Sequence, residues 1–381
     1  MRKVLLTLLF LVVCFVFGFL LTWFFDLGIW KSLFESITLI KWYFIILILI
    51  LVFMLTIIVH ETGHIVGFIN KKTKIKAVMM LCLLIFKKDN HFYTRVHLGL
   101  LRLVGGFVVP EIKEINEDNY EDYRKVFAHS IKLGPIFSTI FVSLMLVLLL
   151  VSMIVFPGSA FTGVMFYSNI MSFVMYLIVL KSFNVQYQQI YGDAVSAKKI
   201  ITDDDFYFAT ILSYYGLSED ESSDAFMFDR IVKRLLDAKK SSYTKDFIIY
   251  YLFAVLFDGQ EENKDIKINL SVNQFGFHEI EEVYLHTLYA YKNNRSEYLS
   301  LYNFLNSINV NNKNLYYFRA LLKYNIGEEE NSEYLLDKNS FDFSAFFPFY
   351  YFVDFFSDYR KMVKRITPNP ILVDEEKVNE A

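Results

Sequence analysis

Cysteine is almost missing from this chain. Only Cys14 and Cys82 occur in 381 residues, both in apolar surroundings and neither in a CxxC. That excludes a disulfide framework and a cysteine-based zinc site. A surplus of positive charge is missing too. Residues 1–200 carry 19 Lys+Arg against 11 Asp+Glu, and residues 201–381 carry 19 against 30. Neither the mildly basic first half nor the acidic second half has the basic surface that nucleic acid requires, so no nucleic-acid partner is expected. Nor does a cleavage signal follow the apolar run at residues 4–25, which Arg2-Lys3 precede. The run is long for a signal peptide, lacks an A-x-A site, and has bulky Val13 before Cys14, so it reads as a retained membrane span.

Long uncharged runs are what the chain has instead. It is 55% hydrophobic and 18% aromatic, with a mean hydropathy of +0.34. Those values are characteristic of a membrane protein. Four stretches, residues 4–25, 42–69, 133–156 and 159–180, are long enough for a bilayer, which takes about 20 residues. Pro157-Gly158 between the last two reads as a tight turn. Positive charge orients them: Arg2-Lys3 at the amino terminus and the cluster Lys71, Lys72, Lys74 and Lys76 after the second span belong on the cytoplasmic side. The expectation is a multi-pass protein of the cell membrane with both termini in the cytoplasm.

Between the second and third spans, residues 77–86 are apolar but too few to cross. Residues 92–109 mix aromatic, β-branched and polar types, with Gly105-Gly106 near the end. This predicts a short membrane-associated β-hairpin over about 75–110, followed by a charged cytoplasmic loop over 111–125 that leads to a helix. Residues 194–368 show apolar and aromatic residues at helical spacing, broken by polar turns. Stacked helical hairpins and a plain bundle both fit. The predicted fold class is therefore mostly α: about four membrane helices with a short β-hairpin, and a cytoplasmic all-α domain. The predicted domains are 1–40 (a span and an extracytoplasmic loop), 41–200 (a membrane core), 201–367 (a helical domain, offering a surface for a cytoplasmic partner) and 368–381 (a disordered tail). The aromatic stretch at 346–352 reads as core, or as a face resting on membrane or partner.

The chemistry lies in His60-Glu61-Thr62-Gly63-His64. Two histidines four residues apart share one helix face, one turn apart, and can bind the same zinc; the Glu can accept a proton from water at the metal. The motif closes the uncharged run 42–59, about 27 Å along a helix from Trp42, which puts it near the cytoplasmic boundary of the second span. Ionisable groups in such a helix are functional by default, and the competing explanation is a polar helix–helix contact. A catalytic zinc takes three protein ligands and an open position. Asp193, just past the fourth span, is the only carboxylate between Asp122 and Asp203. It reads as the third ligand, or else as an N-cap for the helix that follows. His91, His97, His129, His278 and His286 read as structural or surface residues.

These motifs resemble the site-2 protease family of intramembrane zinc metalloproteases, over roughly residues 40–200. In that family HExxH lies on one membrane helix, and an Asp in an N-(x)n-DG-like segment of a later helix completes the site. Asn184 and Asp193 fit that segment, although Val185-Gln186-Tyr187 stands where prolines are usual and Ala194 where Gly is. Gly105-Gly106 fits the family's membrane-associated GG, and Gly134-Pro135 fits a GP that opens the next helix. The resemblance implies a Zn2+ cofactor held by His60, His64 and Asp193, with Glu61 as catalytic base. It also implies substrate contacts from Asn184, Gly105 and Gly106. The implied partner is a membrane-embedded protein or peptide, cut in or near its transmembrane segment: a membrane-bound regulator or a peptide precursor. The rival expectation is a catalytically idle scaffold or immunity-type protein that keeps the fold.

Overall fold

The structure is a computed structural model. It describes residues 28–88, 91–96, 106–112, 114–183, 186–187, 190–215, 222–237, 241–276, 279–293, 295–309 and 313–328. The expected first span, the aromatic stretch at 346–352, the tail at 368–381, and His97, His278, Gly105 and Asn184 lie outside the described residues. The chain is mostly helical, with eleven α-helices and a small antiparallel sheet among the described residues. It divides into two compact units. The first comprises Met1–Phe86, Tyr93–Val108 and Val126–Lys198; the second comprises Lys87–Phe92, Val109–Lys125 and Lys199–Ala381.

In the first unit, α1 (Ile29–Thr38) is a helix within what reads in the sequence as a loop. Three helices follow that are long and apolar enough to cross a membrane: α2 (Trp42–Asn70), α3 (Glu117–Val155) and α4 (Ala160–Phe183). Leu51, Ile140, Ile154 and Leu177 on these helices are about half exposed or more. In water such a surface would be an aggregation site; in lipid it is the covered face. Pro157-Gly158 does turn the chain between α3 and α4, with Gly158 at φ 68°. The Thr162 hydroxyl donates to the Ser152 and Phe156 carbonyls at 3.0 and 2.7 Å, which satisfies acceptors at the end of α3.

One expectation is corrected here. The charged stretch read as a loop is helical from Glu117 on: α3 starts there and runs into the third apolar stretch, with Gly134-Pro135 inside it. Its polar first turns carry Glu117 and Asp118, favourable at a helix N-terminus. Asn116 helps to start it: its side-chain oxygen accepts from the Asp118 and Asn119 N–H groups at 3.1 and 3.2 Å.

The hairpin region is a sheet of four strands, β1 (Ile75–Met80), β2 (Leu83–Lys88), β3 (His91–Val96) and β4 (Gly106–Pro110), in the order β3-β2-β1-β4. β1 and β2 are antiparallel with Met80 opposite Leu83, so Leu81 and Cys82 form a two-residue turn. Leu81 sits at φ 56° yet is only 4% exposed. A left-handed conformation costs a residue with a Cβ about 1–2 kcal/mol. The offset is packing: Leu81 lies against Ile57 of α2 and Met175 of α4. A second, two-stranded ladder, β5 (Gln186–Tyr187) with β6 (Ile190–Tyr191), precedes α5 (Asp193–Thr202).

The second unit contains α6 (Asp204–Tyr215), α7 (Asp224–Leu236), α8 (Thr244–Phe257), α9 (Ile280–Asn293), α10 (Arg295–Ser307) and α11 (Lys313–Asn325). Neighbours pack in series, α7 on α8 and α8 on α9, with α10 and α11 both on α9. Tyr251, Tyr284 and Phe318 are fully buried between them. Arg319 donates to the Leu305, Asn306 and Ile308 carbonyls at 2.7 to 3.0 Å, which closes the C-terminal end of α10.

Residues 109–125 belong to this unit's core. Tyr120 is 1% exposed, and its carbonyl accepts from the Tyr207 hydroxyl at 2.6 Å. The Arg230 guanidinium lies 3.8 Å from the centre of the Tyr120 ring and pairs with both oxygens of Glu117 at 3.0 Å. Arg124 and Arg234 both pair with Asp204.

Candidate metal centre

The site lies within the first unit. α2 places His60 and His64 one turn apart on one face, with Glu61 buried beside them. Each histidine is oriented from behind by α3. The Nδ1 of His64 is 2.9 Å from the Ser130 carbonyl. A carbonyl only accepts, so Nδ1 carries the proton and Nε2 keeps its lone pair. The Nδ1 of His60 is 3.0 Å from Ser138 Oγ, whose own hydroxyl donates to the Gly134 carbonyl at 3.3 Å. The hydroxyl proton is thereby used, so Oγ accepts from His60 Nδ1–H. Both Nε2 lone pairs are left facing the same point.

Small residues permit this closeness. A Cβ on Gly63 would run into the Leu133 carbonyl and come within 2.8 Å of the Gly134 Cα. One on Gly67 would lie 2.5 Å from the Ser130 Cα, and one on Gly134 would strike the His64 ring. Glycine at these three positions lets the backbones of α2 and α3 touch, as small residues do between membrane helices.

Asp193, in the first turn of α5, completes the group. Its Oδ2 is 3.2 Å from His60 Nε2 and 3.7 Å from His64 Nε2, and the two Nε2 atoms are 3.3 Å apart. Zinc bonds of about 2.0–2.1 Å in a tetrahedron require ligand–ligand edges of about 3.3–3.4 Å. Two lone-pair nitrogens and a carboxylate oxygen at those distances repel one another unless a cation sits among them, so the donor set fits a zinc ion. Glu61 also brings a carboxylate oxygen within 4.8 Å of the histidine nitrogens. It is held differently, since the Gly106 backbone N–H donates to it. A Cβ on Gly106 would overlap the Glu61 side chain, so β4 lies directly on that carboxylate. A cavity of about 350 Å³ reaches His60, Glu61, Gly106 and Asp193 from between α2 and α4.

Of the residues named from sequence, His60, Glu61, His64, Gly106 and Asp193 come together here, while Gly105 and Asn184 lie outside the described residues. Sequence reasoning missed Ser130 and Ser138. The one available signal was that Ser138 follows Gly134 by one turn of the same helix.

No curated protein and no solved structure matches the chain. The model of peptidase family M50 matches residues 48–324, running through the C-terminal helices as well as the membrane helices, beyond the 40–200 that the motifs alone cover. The chain belongs to peptidase family M50, the site-2 protease family of membrane zinc metallopeptidases.

Proposed function

We propose that this protein is an intramembrane zinc endopeptidase that hydrolyses a peptide bond in or near the transmembrane segment of a membrane-bound regulator or peptide precursor. The supporting observation is the convergence of His60 Nε2, His64 Nε2 and Asp193 Oδ2 within 3.7 Å of one another, two of the three separations being close to the edge of a zinc tetrahedron, with a second carboxylate alongside. His60, His64 and Asp193 would hold the metal. When bound, zinc supplies Lewis acidity, which makes water acidic enough to attack near neutral pH. Glu61 takes the proton from the attacking water and passes it to the amine that leaves. Gly106 N–H holds the Glu61 carboxylate in place for that transfer. Asp193 is then a ligand although it also stands in the first turn of a helix. Both termini are in the cytoplasm, and the C-terminal helices offer a surface on which a cytoplasmic partner recruits or gates substrate.

The test compares wild type with Glu61→Gln, which leaves the metal ligands in place and removes the base. Zinc content is expected to be equal in the two purified proteins. At least one membrane-derived peptide is expected in cells carrying wild type and absent with Glu61→Gln. Identical membrane peptidomes would instead support the idle-scaffold reading.

A further inference from the structure

We infer that Arg230 and Tyr207 are positioning residues for the metal centre, and that they act on His64 alone, through the N-terminal arm of α3. This rests on the reading of the site as a zinc centre. α3 takes part in both units: residues 117–125 belong to the second and residues 126–155 to the first. Within the second unit the start of the helix is gripped. Arg230 pairs with both oxygens of Glu117 at 3.0 Å and lies 3.8 Å from the centre of the Tyr120 ring. The Tyr207 hydroxyl donates to the Tyr120 carbonyl at 2.6 Å, and Arg124 pairs with Asp204. Within the first unit the same helix holds both histidines, His64 by the Ser130 carbonyl and His60 by the Ser138 hydroxyl.

The two holds differ in kind. A hydroxyl turns about χ1 and can follow an imidazole that shifts. A backbone carbonyl is wherever its helix is. The His64 bond is 2.9 Å long, and moving the helix by about 1 Å takes it out of hydrogen-bond range. The holds also lie on opposite sides of Pro135. Proline has no N–H for the Ile131 carbonyl four residues back, and helices bend where that bond is missing. Residues 117–133 contain neither glycine nor proline, so that arm moves as one rod. Ser130 stands on it, about 15 Å along the helix from Tyr120. Contact with Gly67 and Phe68 of α2 keeps the arm close, while the grip at its far end decides how far it turns or slides along them. Loosening that grip therefore shifts the Ser130 carbonyl and leaves the Ser138 hydroxyl, beyond the break, on His60.

Zinc affinity is measured by competition with a chelator on the purified full-length protein in mild detergent. Arg230→Met keeps an unbranched side chain and removes the pairing. It is expected to weaken zinc binding about 10-fold, the low end of what the partners of metal-binding histidines account for. Tyr207→Phe removes only the hydroxyl on the Tyr120 carbonyl and is expected to weaken it in the same direction. Two comparisons separate positioning from general loosening of the second unit. Arg319→Met removes an arginine that closes the end of α10 in that unit, and is expected to leave zinc affinity unchanged. In a Ser138→Ala background, where the hold on His60 is already gone, Arg230→Met is expected to cause its full loss again, because the two changes act on different histidines. The visible spectrum of the cobalt-loaded protein is expected to shift with Arg230→Met and not with Arg319→Met. Wild-type affinity in Tyr207→Phe overturns the inference whether or not Arg230→Met folds. So do equal losses in Arg230→Met and Arg319→Met, or no further loss in the Ser138→Ala background. Failure of the wild type to bind zinc overturns the reading of the site as a zinc centre instead.

Discussion

Ser138 is the residue whose role is easiest to isolate. Among the described residues, its hydroxyl is the one side-chain group that orients a histidine of the HExxH motif, since His64 is oriented by a backbone carbonyl that mutation cannot remove. Partners of metal-binding histidines typically account for 10–100-fold in metal affinity. Ser138→Ala is expected to weaken zinc binding by about that factor, measured by competition with a chelator, with Ser138→Thr recovering most of it. Unchanged affinity in Ser138→Ala would mean that the hydroxyl only bonds its own helix. At this scale the sequence was legible where residue identity alone carries the chemistry. Two histidines and a glutamate in one helical turn place their donor atoms on one face, and the structure has them together. Asp193 was legible because no other carboxylate lies near that depth. Ser138 was not, because a serine in an apolar helix ordinarily bonds back to the carbonyl four residues earlier, and its partner His60 is 78 residues away.

At the scale of elements, α9 carries a pH dependence of its own. His286 is buried, and burial pushes its pKa below the ordinary histidine value, against the raising effect of its bond to the Glu282 carbonyl. The unfolded chain then binds more protons than the folded one as pH falls through about 6.5. This residue's effect on stability is therefore nil above that pH and unfavourable below it. With the intrinsic slowing of amide exchange at lower pH divided out, α9 peptides are expected to lose more protection between pH 7.5 and 5.5 in wild type than in His286→Gln; an equal loss would assign the acid sensitivity to other groups. Elements with a clear period or an unbroken apolar run, such as α2 and α4, were legible in advance. The start of α3 was not. Glu117–Lys125 is as charged as a loop, and what makes it helical is distant in sequence: Tyr207 on the Tyr120 carbonyl and Arg230 on Glu117. The sheet was half legible. Its apolar first pair showed in the sequence, but β4 joins the sheet beside β1 rather than beside its chain neighbour β3, an order that composition does not encode.

At the scale of the whole molecule, the membrane character was legible from hydropathy alone. The second unit's claim on residues 109–125 was not. A cut after Lys198 therefore removes more than a C-terminal appendage. Ile112, Ile115 and Tyr120 are buried, and the groups that Ile115 and Tyr120 bond, Ser223 and Tyr207, would be gone. Each such side chain is worth about 1.5–3 kcal/mol when buried. A fragment of residues 1–198 is expected to aggregate in size-exclusion chromatography under detergent conditions that keep the full chain monodisperse; a monodisperse fragment would show that these residues need no partner.

The pairing of Glu117 with Arg230 also sets a clock. The two are 113 residues apart in the chain. At about 5–20 residues per second, the ribosome takes roughly 5–25 s to add the second after the first. Throughout that interval HExxH has been synthesised while Tyr120 lacks Arg230, and for all but its last 23 residues Tyr120 lacks Tyr207 as well. The newborn chain thus passes through a stage in which its HExxH motif exists before the core of its second unit can close. An apolar segment left uncovered for seconds is open to non-native contacts, so the biogenesis of this protein is most vulnerable in that interval.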